Sequence, residues 1–452
     1  MSPPIAGPGR ASASRSQGGH FTMRRFIVLI AFLAVPQLAG ARSARPDNLD
    51  RIAHDYAVLS AQADRLESAG KDDGHKLDAI EVEAKAHPLK LPQIVAGLEA
   101  LVRRIDRLKP SSDPLLAMRQ RYIRAHLISY GLQLEPHRMA ALPAAKQVEL
   151  AYGFVPVFPD LASVDPAIDA LDKALPGEGG LSERIDAMKQ RALVPKDKIE
   201  AVVRASVAEC FRRSSAHLNM PKDELEIRFP DDKLIPAQSN YEGHGKGWMA
   251  VSTDYPADVD RLLTTACHEA YPGHHTHYAT LDERVWDKYG WPEGKVGMEY
   301  EPLFAVSDAI SEYGEGLTFP LDDRMRYERE VLFPLAGLTM KDEAGWRALI
   351  SARSSVLGAT STVIRDYLDK KIDAARAQKL LMRYRLMNQR SAEQLVRMVD
   401  ALGIVIIASD QGWLAIDRAF AGKPVDEQWR LLQRMEEEPM LLGDVRALAK
   451  AH

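Results

Sequence analysis

From Asp47 onward the chain repeats apolar residues at three- and four-residue spacing with charges between them, which restricts most of it to amphipathic helices. The pattern runs at full length over 91–108 and 115–134, and resumes after residue 320 through 372–387 and 391–407. Pro and Gly interrupt it at 109–114, at 175–180 and at Phe229-Pro230, where a helix loses its donors or its stiffness. One stretch reads differently. Residues 241–253 place a Gly-rich turn before a short strand, and their glycines lack the spacing of a phosphate-binding loop. No repeat of fixed period is present. The expected fold is mainly α, with a small β element ahead of the helix that carries the chemistry. It forms one domain over 42–452, with an N-terminal helical half at 47–230 and a second half at 231–452.

The chain begins with segments that do not belong to that body. Residues 1–22 are rich in Ser, Gly and Pro without periodicity and read as a non-native or disordered extension. Met23 then opens a secretory signal at 23–41: Arg24 and Arg25, an apolar stretch from Phe26 to Val35, and the small-residue cleavage site Ala39-Gly40-Ala41. Cleavage there removes Arg10, Arg15, Arg24 and Arg25 and no acid, taking the formal charge from -4 to -8. The expected location is the periplasm or the medium. No apolar run reaches the roughly 18 residues of a membrane span, so no stable insertion is expected once the signal is gone. Lys+Arg number 59 against 63 Asp+Glu, which gives no electrostatic basis for nucleic acid as a partner. Only Cys210 and Cys267 are present. Disulfides are therefore not expected to hold the fold, and Cys267 is expected to pack as a small hydrophobe.

The chemistry is concentrated in 254–316. Asp254 and Pro256 read as the cap and first turn of a helix whose Val259, Leu262, Leu263, Ala266 and Cys267 form one apolar stripe. This helix delivers His268 and Glu269, followed by Ala270-Tyr271-Pro272-Gly273-His274-His275-Thr276-His277. In HExxH sites two histidines one turn apart bind zinc and the Glu serves as base, but here Pro272 stands four places after His268. In a straight helix His274 would lie about 120° off the His268 face. Pro breaks the helical ladder and Gly tolerates unusual dihedrals, so a bend at Pro272-Gly273 can bring His274 beside His268. A catalytic zinc takes three protein ligands and keeps a position for water. The candidate segment for the third is 304–316, where Asp308, Glu312 and Glu315 share one helical face among Ala, Val, Ile and Gly, with Glu315 and Glu312 as the rival ligands. A buried carboxylate face needs a cation or donors. His275 and His277 read as supporting or surface residues, and His244 as a turn residue. Arg365, Arg383 and Arg385 could hold a substrate carboxylate, although helix-surface Arg is the commoner role.

The stretch His268-Glu269-Ala270-Tyr271-Pro272-Gly273-His274-His275 resembles the HExxPGHH signature of the DUF885 family, a bacterial group placed with zinc metallopeptidase-like folds. Glu315-Gly316-Leu317 stands where that family carries Glu-Gly-Trp, and is similar to the segment that supplies the third zinc ligand in gluzincin aminopeptidases. The resemblance implies a helical metallopeptidase-like body with one zinc held by His268, His274 and Glu315, and Glu269 as general base; Glu312 is the rival third ligand. The chain departs from the family at Leu317, at His277 where a Gln is common, and in lacking Tyr-Pro-Gly-Gln near the C-terminal helices, where 407–413 read Ile-Ala-Ser-Asp-Gln-Gly-Trp. Those departures touch substrate contacts and leave the metal ligands in place.

The expected activity is zinc-dependent hydrolysis of amide bonds in a peptide or other small amide substrate. Asp308 or Glu312 would support a ligand His, and an oxyanion donor would come from Tyr271, His275, Tyr300, Tyr313 or Tyr384. The strand at 248–253 could pair with an extended substrate. A serine hydrolase is disfavoured because no G-x-S-x-G occurs, and a di-iron bundle because paired Glu-x-x-His motifs are absent. The alternative is a metallopeptidase-like protein that has lost turnover and binds only metal or peptide.

Overall fold

The computed structural model describes residues 48–67, 79–231, 236–297, 301–356 and 358–449. The extension 1–22, the signal 23–41 and Tyr300 lie outside the described residues.

The first helices follow the periodicity directly. Helices α1 (Asn48–Glu67), α2 (Leu91–Ile105) and α3 (Pro114–Gln133) pack together through Ile52, Tyr56, Ile94, Leu98, Tyr122 and Ile123. Helix α3 starts where it does because Asp113 accepts the Leu115 amide at 2.8 Å, and Pro114 follows as a first helical residue with no amide to satisfy. Helix α4 (Ile199–Ser214) then leads into the sheet.

That sheet has three strands rather than one. Strands β1 (Glu224–Arg228), β2 (Ala237–Gly243) and β3 (Lys246–Val251) lie in the order β1-β3-β2, with β1 parallel and β2 antiparallel to β3. The register pairs Ile227 with Met249 and Ser239 with Met249 on its two sides. The Gly-rich segment is the turn between β2 and β3: Gly243, His244 and Gly245 all have positive φ. Because β3 is hydrogen-bonded on both sides, it cannot add a substrate strand. That expectation is corrected: a peptide would have to use the outer edge of β2 or β1.

Helix α5 (Val259–Glu269) begins five residues after Asp254, and its cap is Asp258, whose side chain accepts the Arg261 amide at 2.9 Å. The delay has a backbone cause. Val194 donates to the Ala257 carbonyl and Val259 to the Ala192 carbonyl, so residues 257–259 are held in a bridge to 192–194 and the helix starts only at 259. After α6 (His274–Leu281) come α7 (Phe304–Thr318), α8 (Leu321–Tyr327), α9 (Glu343–Ser355), α10 (Ala374–Tyr384), α11 (Gln389–Leu402), α12 (Val405–Phe420) and α13 (Val425–Glu437). The pattern at 391–407 spans two helices because Gly403, at φ 58, turns the chain through 106° between α11 and α12. Among the described residues no single helix is long and apolar enough to cross a membrane.

Helix α7 is the central element, packed by α5, α6, α12 and α13. Its approach to α12 depends on Gly412, where a Cβ would lie 2.0 Å from the Ala305 carbonyl oxygen. Each of the three apolar clusters draws residues from both sides of position 230, so the two sequence halves share their cores. The fold is mainly α, as its periodicity indicates.

The cysteines correct the sequence reading. Cys210 of α4 and Cys267 of α5 form a disulfide across 57 positions of sequence. The stripe that ends in Cys267 faces a matching stripe of Val203, Val207 and Cys210 on α4, and both cysteines are fully buried in that contact. Cys267 is thus part of a cross-link rather than a free apolar thiol.

Candidate metal centre

Helix α5 stops at Glu269 because of the two residues that follow its last turn. Pro272 has no amide to extend the ladder, and its peptide bond with Tyr271 is cis. Gly273 passes so close beneath the end of α5 that a Cβ there would lie 1.7 Å from the His268 carbonyl oxygen and 2.6 Å from that of Cys267. Only glycine fits. The Gly273 amide donates to the Cys267 carbonyl at 3.1 Å, and α6 starts at once with His274. The imidazoles of His268 and His274 therefore stand edge to face, their centroids 4.8 Å apart.

The third member comes from α7, which runs antiparallel to α5. One turn before the motif Thr264 meets Glu315 at 3.0 Å, while at the motif His268 Nε2 lies 3.4 Å from Asp308 Oδ1 and His268 Nδ1 3.8 Å from Glu312. His274 Nε2 is 3.7 Å from the same Asp308 oxygen. One donor atom each from His268, His274 and Asp308 lies within 4.8 Å of the others. Glu315 is not brought to this group, and Asp308 replaces it as the third donor. Seven residues of helix separate the two acids by about 10 Å along α7. Glu315 is instead buried among Arg324 Nη1, Arg353 and Thr264, and Arg324 also holds Asp260 and Glu328. Those guanidinium groups keep its carboxyl below the usual range against the cost of burial.

The group has the electrostatics of a cation site. Burial disfavours a charged His268, yet Asp308, through a hydrogen bond and its charge, together with Glu269 and Glu312, raises it to about 9. Asp308 is held far below the ordinary carboxylate range, because the two imidazoles outweigh its desolvation. Neighbouring hydroxyls fix the donors. Ser307 Oγ lies 2.9 Å from His274 Nδ1, leaving Nε2 for the centre, and Ser409 of α12 donates to Asp308 Oδ2. Two imidazoles and one carboxylate, each backed by an outer hydrogen bond or charge, fit zinc with one open position. Glu269 adjoins the group, and its Oε2 accepts from Ser239 of β2 at 2.5 Å.

The other candidates fall elsewhere. His275 and Tyr271 both bond Asp223, at 2.9 Å and 2.6 Å, and a Cβ at Gly247 would strike the His275 ring. They form a buried unit that packs the motif against β3, and Asp223 gave no sequence signal because it lies 45 residues before His268 in an unremarkable loop. His277 is buried against α13, and burial pulls it down to about 3. His244 is an exposed turn residue 3.6 Å from Asp287, in a group with the buried Asp282, whose carboxylate is occupied by the Tyr241 hydroxyl and the His244 amide. Tyr313 donates to Gln428, and Tyr384 lies beneath the Arg383 guanidinium. Arg365 pairs with Asp366 and Arg383 with Asp165, as surface arginines do. A cleft of about 390 Å³ is walled by Glu312, Tyr313, Ile350, Arg353 and Trp413; His268, His274, Asp308 and Glu269 do not line it, and Glu312, 3.8 Å from His268, is its link to the centre.

No family model matches the chain, and no curated protein matches it. Among solved structures, the chain is similar to a "putative lipoprotein" from Colwellia psychrerythraea, with a TM-score of 0.50 at 13% identity over 89% of this chain and 75% of that one. A "putative lipoprotein of unknown function" from Shewanella oneidensis gives a TM-score of 0.43 at 13% identity, over 88% of this chain and 82% of that one. The first likeness is one of fold.

Proposed function

We propose that the chain is an exported zinc-dependent hydrolase that cleaves peptide bonds, and that it belongs with the DUF885 proteins its HExxPGHH stretch resembles. One observation carries this reading: His268, His274 and Asp308 present donor atoms within 4.8 Å of one another, and Glu269 follows His268 in the chain, with its charge acting on that imidazole. When bound, zinc polarises a carbonyl and makes water acidic enough to be deprotonated near neutral pH. The protein's own residues do the rest. Glu269, fixed by Ser239, accepts the proton of the attacking water and returns it to the leaving amine. Ser307 and Ser409 hold His274 and Asp308 in their binding orientations. Strand β2 pairs only with β3 among the described residues, so its outer edge can lay an extended peptide past Glu269.

Export is supported by the leader at Met23 and by the buried Cys210–Cys267 bridge, a bond that persists in oxidising compartments. The Colwellia protein of like fold is itself described as a "putative lipoprotein". The test is metal content by mass spectrometry, beside a His274→Ala variant, followed by digestion of a peptide mixture with Glu269→Gln as control. One zinc per chain, lost in His274→Ala, and cleavage lost in Glu269→Gln are expected. Absence of zinc overturns the reading; zinc without cleavage leaves a binding protein.

A further inference from the structure

The cleft of about 390 Å³ that Glu312 links to the metal centre has the size of a small-ligand site, which runs from roughly 300 to 1,000 Å³. Helix α7 supplies Glu312 and Tyr313 to its wall, α12 supplies Trp413 and Asp417, and Arg324 and Arg353 enter from α8 and α9. The wall also includes Glu315, so carboxylates and guanidinium groups both line it. Its chemistry depends on which of these charges are already engaged. Arg324 uses all three of its nitrogens, on Glu315, on Asp260 with Thr264, and on Glu328. Arg353 turns one terminal nitrogen to Asp260 at 2.8 Å and the other to Glu315 at 3.3 Å. Both cations are thus closed into one ion network with Glu315, and their terminal nitrogens are occupied.

Glu312 and Asp417 stand outside that network. Among the described residues the Asp417 carboxylate has no hydrogen-bond donor and no cation within 4.0 Å. Glu312 likewise accepts no hydrogen bond there, and the basic group within 4.0 Å of it is His268 Nδ1, at 3.8 Å. Both acids are partly buried. Burial pushes the Asp417 carboxyl above its ordinary range, against the opposing charge of Arg418. Trp413 precedes Asp417 by four residues, so indole and carboxylate share one face of α12, and both line the cleft. Tyr313, whose hydroxyl donates to Gln428 at 3.2 Å, adds a second ring. Carboxylates beside aromatic walls favour an organic cation, whose charge meets the acid while its stem meets the rings. An acidic side chain would meet two like charges there. An apolar one would strip water from two carboxylates and replace it with nothing.

We propose that this cleft is a specificity pocket for a basic side chain, the arginine or lysine of a peptide, held by Asp417 and Trp413 with Glu312 at the end toward the metal centre. The peptide rests on the hydrolase reading above; the preference for a cation does not. Glu312 fixes the pocket's place, because it lines the cleft and lies 3.8 Å from His268. The side chain that fills the cleft therefore belongs to a residue close to the bond that is cut.

The test is calorimetric binding of acetyl-Ala-Ala-Xaa-Ala-Ala-amide to the Glu269→Gln protein, with Arg, Lys, citrulline or Glu as Xaa. Citrulline keeps the shape of arginine and removes its charge. The Arg and Lys peptides should bind at least about tenfold more tightly than the citrulline peptide, and the Glu peptide more weakly still. Asp417→Asn should remove most of the difference between Arg and citrulline, and Asp417→Lys should turn the preference toward Glu. Zinc content and helical circular dichroism should stay unchanged in both. Equal affinity for Arg and citrulline before any change at Asp417 overturns the pocket, and so does a preference that survives Asp417→Asn. Because the first comparison needs no variant in the cleft, misfolding of one does not rescue the proposal. Binding of none of the peptides overturns it too. A native chain that holds no zinc and cuts nothing, yet favours Arg, keeps the pocket and defeats the hydrolase reading. Cleavage without bias toward basic residues keeps the hydrolase and defeats the pocket.

Discussion

Removing the Cys210–Cys267 bridge with a Cys210→Ala/Cys267→Ala pair should cost much of the fold's stability while leaving every chemical group of the metal centre in place. The bond closes a loop across 57 positions and ties α4 to α5 one residue before His268. Chain entropy puts the release of such a loop in the unfolded state at about 4 kcal/mol. That is a large share of the ~5–15 kcal/mol by which folded proteins usually exceed their unfolded chains. Both sulfurs are fully buried between apolar stripes, so replacement by Ala adds small cavities rather than relieving strain. Because the last turn of α5 carries both His268 and Glu269, loosening it should also weaken zinc binding. The assay is urea unfolding followed by the fluorescence of the six tryptophans, on the oxidised protein, the dithiothreitol-treated protein and the double variant. The oxidised form should unfold at clearly higher urea than the other two, and in guanidinium it should show no titratable thiol. Two free thiols in the oxidised protein, or a difference below about 1 kcal/mol, would refute the argument that this loop closure supports the fold.

Asp308→Asn should lower zinc affinity by more than the roughly 10- to 100-fold lost with an outer partner of a ligand, as read by zinc titration. Glu315→Gln should keep zinc binding in the folded protein but cost about 3–5 kcal/mol, because Arg324 loses a buried partner; zinc titration and urea unfolding separate the two. Glu269→Gln should reduce peptide turnover about 100- to 10,000-fold with zinc content unchanged, as read by coupled activity and metal assays. Gly273→Ala should abolish zinc binding, since its methyl would sit 1.7 Å from the His268 carbonyl oxygen; full zinc occupancy in that variant would disprove the described bend. His126 is buried and pulled down from 6.5 to about 3 by desolvation, so the native state stays neutral while the unfolded chain takes up a proton below pH 6.5. Its contribution is complete above pH 6.5 and is lost as pH falls toward 3, by about 2 kcal/mol at pH 5; His126→Gln should flatten the acid slope of stability by one proton.

Most of the helical body was legible because amphipathic periodicity is a local property. Helices α2 and α3 lie where the spacing of Leu, Ile and Val places them, with Asp113-Pro114 marking a start. The bend between His268 and His274 was legible for the same reason: Pro272 and Gly273 restrict the backbone whatever surrounds them. The third donor was not. Asp308, Glu312 and Glu315 are equivalent by helical face, and the choice among them depends on how far α7 is shifted along α5, which arises from packing between residues about forty positions apart. Arg324 and Arg353 then remove Glu315 by claiming its carboxylate, a pairing between helices that no spacing rule contains. The disulfide and the β1 strand that makes β3 central depend on tertiary contact in the same way. Sequence alone determined which segments are helical and where the chain must bend, because backbone dihedrals and side-chain periodicity act within a few residues. Only the tertiary structure decided which acid faces the histidines, because that is set by the registry of helices whose contacts are distant along the chain.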